Sequence, residues 1–301
     1  VQMTSRDEPF AGLFTQGMVC HETYRAADGS WLLPEEVERT AGGAVVRLSD
    51  KTPVEVGRSE KMSKSKKNVV DPDQIIHDYG ADTARWFMLS DSPPERDLEW
   101  TEAGVTGAWR FQQRLFRIAS TALDDLPAVG MPKPAQFESA ATELRRAAHK
   151  AIAGVSTDIE AFHFNKAVAR LYELANTIDG FEAADDGGRW ALREALEIFV
   201  RLAGPMTPHL AEELWQALGH TSLLADSAWP AAEDALLVDD TVTIALQVNG
   251  KLRGTIQMPK DSSKEANASA ALAHADVQKA MAGKPQKRVV VVPNRLVNVV
   301  V

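Results

Sequence analysis

The sequence contains very little cysteine, and some kinds of segment are missing from it. Its 301 residues include one cysteine, Cys20, so no internal disulfide can form and a reducing compartment fits best. The same scarcity leaves no cysteine cluster for a structural zinc ion. No apolar run approaches the length of a membrane span, and we expect no signal peptide at the start. These absences predict a cytoplasmic protein that does not associate with membranes.

The distribution of charge is more informative than its sum. The formal net charge is −9, which by itself does not suggest an RNA-binding protein. From Thr241 to Val301, however, nine lysines and arginines stand against three acids, so this tail carries +6 and the part before it −15. A basic tail on an acidic body is typical of a module that faces nucleic acid, although a merely soluble basic domain has the same pattern.

A cluster of cations and hydroxyls at residues 61–67, called the lysine loop below, is the most informative segment. It reads Lys61-Met62-Ser63-Lys64-Ser65, with two further lysines behind it. Cations this close repel one another, so the cluster becomes favourable only when a polyanion lies against it. Lysine is a compact, mobile point charge that suits phosphate oxygens. The loop therefore predicts a phosphate-binding site, and a solvated basic loop is the alternative that these residues leave open.

The five letters KMSKS match a signature of class I aminoacyl-tRNA synthetases, and the chain resembles that family well beyond them. Residues 79–85 follow the loop in the order that the family uses, and residues 16–19 and 97–100 resemble its leucine-specific members. Residues 205–215 are similar to the last helix of the anticodon domain in the leucine, isoleucine and valine enzymes. Residues 248–254 resemble the tail motif of the bacterial leucine-specific enzymes.

This resemblance implies the C-terminal part of a bacterial leucine-specific class I synthetase, an enzyme that activates leucine with ATP and Mg²⁺ and transfers it to its tRNA. By the family's pattern Lys61 and Lys64 are catalytic. The same pattern assigns ATP binding to Lys61, Met62, Ser63, Lys64 and Ser65. The expected partners are ATP, leucine and the leucine tRNA, and we expect a monomer without a bound metal ion.

Two features of the chain imply that it is a piece of a longer protein. It begins at Val1 rather than methionine, and it contains no His-x-Gly-His, the other signature that the family uses at the ATP site. We therefore expect the chain to be inactive alone. The alternatives are a valine- or isoleucine-specific relative and a non-catalytic tRNA-binding module.

The apolar pattern, read together with this resemblance, predicts a multidomain fold of the class α/β plus α. Residues 1–89 are interpreted as the trailing part of a Rossmann-like catalytic domain with the KMSKS loop at its surface. Residues 90–235 are helical in period and predict a bundle of the anticodon-binding-domain type. Residues 236–301 predict a small ββαββ domain with one alanine-rich helix over residues 262–282.

Local signals predict where individual helices begin. Asp71 and Pro72 are typical of an N-cap and a first helical position, and Ile75 and Ile76 are expected on the buried side of that short helix. Thr207, followed by a proline, predicts another such helix start.

Two groups of cations are the candidates for contact with tRNA. They are Arg110, Arg114 and Arg117 on one helix, and Lys251, Arg253, Lys287 and Arg288 in the tail. The three arginines line up on one face without acidic partners on their own stripe, although a solvated helix face is the alternative. Asn249-Gly250 predicts a β-hairpin, and simple alternation places Lys251 and Arg253 on one face of the returning strand.

Overall fold

A computed structural model describes residues 12–238 and 241–301. Residues 1–11 at the start of the predicted first domain and residues 239–240 near the start of the predicted tail domain lie outside these ranges. The chain divides into two compact units, the first ending at Ala232 and the second covering Glu233–Val301, and each is described by itself. Across the two described ranges, no helix combines the length and the apolar character that crossing a membrane requires. The predicted domain boundaries at residues 89 and 235 stay a prediction.

The described part of the first unit contains eight short strands, of which seven precede its first α-helix and the last follows its second. They are β1 (Val19–His21), β2 (Tyr24–Arg25), β3 (Trp31–Leu32), β4 (Val37–Arg39), β5 (Val45–Arg47), β6 (Glu55–Val56), β7 (Glu60–Lys61) and β8 (Leu98–Glu99). Strand β1 lies between β7, which is antiparallel to it, and β8, which is parallel to it. The order β3-β2-β6 and the pair β4-β5 make small separate sheets, and Tyr24, Leu32, Val45 and Val54 form a small core of their own. The lysine loop thus leaves the sheet at the end of β7.

The helices of the first unit share one large apolar core. They are α1 (Pro72–Tyr79), α2 (Ala81–Ser90), α3 (Glu102–Ala122), α4 (Ser139–Glu160), α5 (Phe164–Asp179), α6 (Asp186–Ala203) and α7 (Pro208–Ala217). Trp86 of α2 is 0% exposed, and its ring lies 5.0 Å from that of Phe111 on α3. Its indole Nε1–H donates to the Tyr172 hydroxyl of α5 at 3.1 Å. Helix α2, which follows the lysine loop and α1, is therefore fixed to the helical bundle.

The start of α1 confirms one prediction and corrects another. The carboxylate of Asp71 accepts the backbone N–H of Asp73 at 3.0 Å, and Pro72 is the first helical residue. Ile75 is only half-buried and Ile76 is 49% exposed, so the prediction that both form a buried side is wrong. Adjacent helical residues point about 100° apart. The face that this eight-residue surface helix buries is narrower than that, so two adjacent residues cannot both lie on it.

Helix α7 begins at Pro208 as predicted, but the residue that caps it is distant in sequence. Thr207 occupies the N-cap position without a side-chain bond to the helix. Asp82 of α2 instead accepts the backbone N–H of Leu210 at 2.7 Å and contacts Nδ1 of His209 at 2.8 Å. The carboxylate meets the positive end of the α7 dipole, an arrangement that stabilises a helix start.

The second unit is a four-stranded sheet with helices inserted between its two hairpins. Its elements are α8 (Asp234–Leu237), β9 (Thr241–Val248), β10 (Lys251–Pro259), α9 (Lys264–Ala273), α10 (Ala275–Met281), β11 (Arg288–Val292) and β12 (Leu296–Val300). The strand order is β10-β9-β12-β11, with β9 and β12 parallel. Ile244, Leu246 and Val248 are buried at every second position of β9, so one face of this strand is turned to the core.

The prediction of one helix over residues 262–282 is wrong. The backbone of His274 is extended, with φ −68° and ψ 130°, and separates α9 from α10. Its Nδ1 accepts the backbone N–H of Asp276 at 3.3 Å, so this side chain caps a new helix. Alanine favours helix on either side and conceals the break in the sequence. The order of elements after β10 is therefore two helices and then two strands.

Candidate functional site

The lysine loop is a pair of tight turns held against the edge of the sheet. Its first residue, Lys61, ends β7, and the backbone N–H of Met62 donates to the carbonyl of Val19 in β1 at 3.2 Å. Further on, the N–H groups of Lys66 and Lys67 donate to the carbonyls three residues before them, at 3.2 and 3.3 Å. These contacts bring residues 61–65 into one compact surface feature immediately before α1.

The lysines of the loop are not equivalent. Nζ of Lys66 lies 2.7 Å from Oε2 of Glu60, and Nζ of Lys67 lies 3.9 Å from a second carboxylate. Lys61 and Lys64 are exposed, and no ion pair within the described ranges includes either of them. The two residues assigned to catalysis from the sequence are thus the two cations of the loop that remain available to an incoming anion.

Two titratable groups beside the loop have shifted pKa values. The hydrogen bond from Lys66, followed by the charges of Lys66 and Arg58, lowers the pKa of Glu60. Glu60 is therefore ionised at neutral pH and balances the charge of Lys66. Burial, together with nearby carboxylates, raises the pKa of the Cys20 thiol. Cys20 consequently stays neutral, as expected of a small core residue.

Two serines and an asparagine shape the loop. The hydroxyls of Ser63 and Ser65 are 2.8 Å apart. The side chain of Asn68 is 0% exposed and forms hydrogen bonds with backbone groups of the loop. Its Oδ1 accepts the backbone N–H of Ser63 at 2.8 Å. Sequence reasoning missed Asn68. The only signal in the sequence is a polar residue between a run of cations and Val69-Val70.

The three arginines of α3 occupy different environments. Arg114 donates from Nε and Nη2 to one carboxylate oxygen of Asp179 on α5, at 3.0 and 2.7 Å, and from Nη1 to Asn176 at 2.7 Å. Arg117 lies 3.8 Å from the same carboxylate. Arg110 is exposed, and among the described residues it forms no ion pair. The three arginines have no acidic partner on α3 itself, but α5 supplies the carboxylate of Asp179 to two of them.

Two aromatic side chains that sequence reasoning missed accompany the arginines. Trp109 is 38% exposed and Phe116 is 46% exposed. They are seven residues apart, close to two full helical turns, so they lie on one side of α3. Neither residue falls at the spacing of three and four positions that the buried apolar residues of α3 follow. An aromatic residue off that spacing is the sequence signal that could have identified them. Exposed aromatic rings are suited to stacking on unpaired bases.

The four candidate cations of the tail lie at one end of the second unit's sheet. Lys251 opens β10 opposite Val248, and Arg288 opens β11 opposite Val300. Val299 and Val248 are partners across the parallel central strands, so all of these positions belong to the same end. This cationic sheet end consists of Lys251, Arg253, Lys287 and Arg288. All are exposed, and no ion pair in the described part of this unit includes them.

A β-bulge modifies one detail of that prediction. The register passes from the pair Leu252–Gln247 directly to the pair Gly254–Leu246, which leaves Arg253 as the extra residue. A bulge interrupts the alternation of side chains along a strand. Simple alternation therefore does not place Lys251 and Arg253 on one face of β10, although both residues stay at the same sheet end.

Comparison with known proteins places this arrangement in a family. The family model described as "tRNA synthetases class I (I, L, M and V)" matches residues 53–101, which include the lysine loop, and "Anticodon-binding domain of tRNA ligase" matches residues 141–268. The protein named leucine–tRNA ligase in Paramagnetospirillum magneticum is 60% identical over 98% of the chain, and its counterpart in Parvibaculum lavamentivorans is 56% identical over 99%. The chain belongs to the leucine–tRNA ligase family.

This member of the leucine–tRNA ligase family spans about a third of the length of the curated relatives it matches, 34% of each of the two named above. The match falls on their C-terminal third. Among solved structures, the LeuRS of Agrobacterium radiobacter K84, in a ternary complex with tRNA and LeuAMS, has a TM-score of 0.67 and 28% identity. That alignment covers 98% of this chain and 34% of the other. The predicted class I family and its leucine-specific branch are confirmed.

Proposed function

We propose that the chain is the C-terminal part of a leucine–tRNA ligase, to which it contributes the lysine loop of the ATP site and two surfaces for tRNA. The observation that carries this proposal is 60% identity to a leucine–tRNA ligase along 98% of the chain. The proposed substrates are leucine, ATP with its Mg²⁺, and the leucine tRNA. The proposed setting is a cytoplasmic monomer that needs no zinc in this part.

In this proposal the lysine loop acts on charge rather than on protons. A carboxylate oxygen of leucine forms a bond to the α-phosphorus of ATP as the bond to pyrophosphate breaks, and negative charge accumulates on the phosphates. Lys61 and Lys64 stabilise that charge, because preorganised cations are most effective where charge develops. Met62, Ser63 and Ser65 contact ATP and set the shape of the loop. No general base is needed, since the carboxylate of leucine is already ionised.

The proposed tRNA surfaces are the cationic sheet end and the exposed side of α3. Sequence-independent affinity for RNA comes from cations that approach its phosphates. On α3, Arg110 is the arginine with the most freedom to do so, since the carboxylate of Asp179 lies beside both Arg114 and Arg117. The proposed domains are residues 1–89 for catalysis, 90–235 for the bundle and 236–301 for the tail.

The test is leucine-dependent exchange of pyrophosphate into ATP by the complete ligase that contains this chain. We expect exchange with leucine and little with valine or isoleucine, and no exchange by the purified chain alone, because half of the ATP site is supplied elsewhere. A preference for valine or isoleucine would contradict the leucine assignment. Exchange by no form of the protein would instead favour a tRNA-binding module without catalysis.

A further inference from the structure

We propose that Asn68 is a positioning residue that fixes the base of the lysine loop and leaves its tip free to close. The inference rests on the function proposed above. The Oδ1 atom of Asn68 accepts the backbone N–H of Ser63 at 2.8 Å. Its Nδ2 group lies 3.1, 3.1 and 3.3 Å from the carbonyls of His21, Glu60 and Lys61, so its two N–H donors serve three acceptors and one N–H is shared. One side chain thus reaches β1, β7 and the first turn of the loop.

The chemistry of the amide explains why asparagine serves at this position. Asparagine offers one carbonyl oxygen and two N–H donors, and Asn68 uses both ends of its amide on backbone groups. Because Asn68 is 0% exposed, water cannot replace these bonds, and losing them would leave buried polar groups unpaired. The amide therefore joins the point where the chain enters the loop to the point where it leaves.

The tip of the loop is held much less firmly than its base. The backbone bonds from Lys66 and Lys67 end on carbonyls within the loop itself rather than on the sheet, and Lys64 is exposed without an ion pair in the described ranges. A loop that closes over a substrate needs a fixed base and a movable tip. On this account Asn68 holds Lys61 in place and directs the path along which Lys64 approaches the phosphates.

Two variants in the complete ligase separate the hydrogen bonds of Asn68 from its volume. Asn68→Asp keeps the size of the side chain and an acceptor for Ser63 but removes both N–H donors, whereas Asn68→Ala removes every contact. We expect both to lower kcat/KM for ATP in pyrophosphate exchange about ten- to a hundredfold, the scale for a misplaced reacting group. The KM for leucine stays unchanged. Full exchange by Asn68→Asp would overturn the proposal.

The matched control is a second buried asparagine, Asn267 of α9. It is 1% exposed and donates to the carbonyl of Ser262 at 3.1 Å, in the other unit of the chain. Asn267→Ala is expected to lower the thermal unfolding midpoint while leaving exchange within about twofold of the parent, since it removes one ordinary hydrogen bond. An equal loss of exchange in this control would mean that general destabilisation, not loop position, explains the effect of Asn68.

A double-mutant cycle with Lys64 shows whether Asn68 acts through the loop. If it does, adding Asn68→Ala to Lys64→Ala lowers exchange little further, because residues that act as a unit are not additive. Independent, multiplying effects would overturn the proposal. The same measurements distinguish failure of the proposed function from failure of the role of Asn68. Unchanged exchange in Lys64→Ala would contradict the proposed function. Reduced exchange in Lys64→Ala together with unchanged exchange in the Asn68 variants would contradict only the role of Asn68.

Discussion

Replacing Lys64 with alanine lowers leucine-dependent pyrophosphate exchange by the complete ligase about a hundredfold or more, the scale for losing a preorganised charge stabiliser. The physical reason is the position of Lys64 at the exposed tip of the lysine loop, where no carboxylate of the described residues neutralises it. Its charge is therefore available to the phosphates of ATP. The loss is expected mainly in kcat, because the charge that Lys64 stabilises develops in the transition state.

The control for Lys64 lies two residues further along the same loop. Nζ of Lys66 is 2.7 Å from Glu60, so much of its charge is already balanced. Lys66→Ala removes one exposed ion pair, and we expect a change in exchange of less than about fivefold, as exposed ion pairs contribute roughly 1 kcal/mol or less. Equal losses from the two variants would show that the loop contributes only total charge. Unchanged exchange in Lys64→Ala would remove the catalytic role.

Removing the four charges of the cationic sheet end weakens binding of leucine tRNA about a hundredfold or more near 0.1 M salt, because phosphate contacts dominate such affinity. The variant replaces Lys251, Arg253, Lys287 and Arg288 with alanine in the otherwise intact chain. Because they gather at one end of a sheet, the four cations can approach several backbone phosphates of one RNA segment. The slope of log affinity against log salt concentration decreases in magnitude by about three, because each lost phosphate contact removes about 0.7–0.9 from it.

A charge-matched variant distinguishes a site from mere basicity. It replaces four other exposed cations of the second unit with alanine: Lys260, Lys264, Lys279 and Arg295. Two of them, Lys260 and Arg295, lie at the opposite end of the sheet, where β10 ends and β11 turns into β12. Both variants lose four positive charges, but we expect the control to keep most of the affinity and the salt dependence. Equal weakening would mean that the basic tail serves only solubility.

Local chemistry was sufficient to predict the parts of the fold that depend on neighbours in sequence. The pair Asp71-Pro72 predicts the start of α1, because the side chain of an N-cap residue accepts a backbone N–H only two positions away, here that of Asp73. The alternation in β9 predicts a half-buried strand for the same reason, since its period is visible within eight residues. The lysine loop was found because its cations are consecutive.

The residues that the sequence did not reveal act over long distances along the chain. Asn68 bonds the carbonyl of His21, and Asp82 caps α7 through Leu210. No local spacing shows which distant backbone group a buried amide or carboxylate will meet. Arg114 likewise lacks an acidic partner on its own helix and finds one at Asp179, 65 positions away. The break at His274 was missed because alanine on both sides dominates the helix propensity.

The most direct test of the account is a titration of the chain with leucine tRNA and with valine tRNA at moderate salt, beside a version that ends at Ala232 and lacks the second unit. We expect the chain to bind leucine tRNA more tightly than valine tRNA, and we expect this preference to disappear when the second unit is removed. Weak and equal binding of both tRNAs, unchanged by the truncation, would contradict the claim that this chain docks the tRNA of a leucine–tRNA ligase.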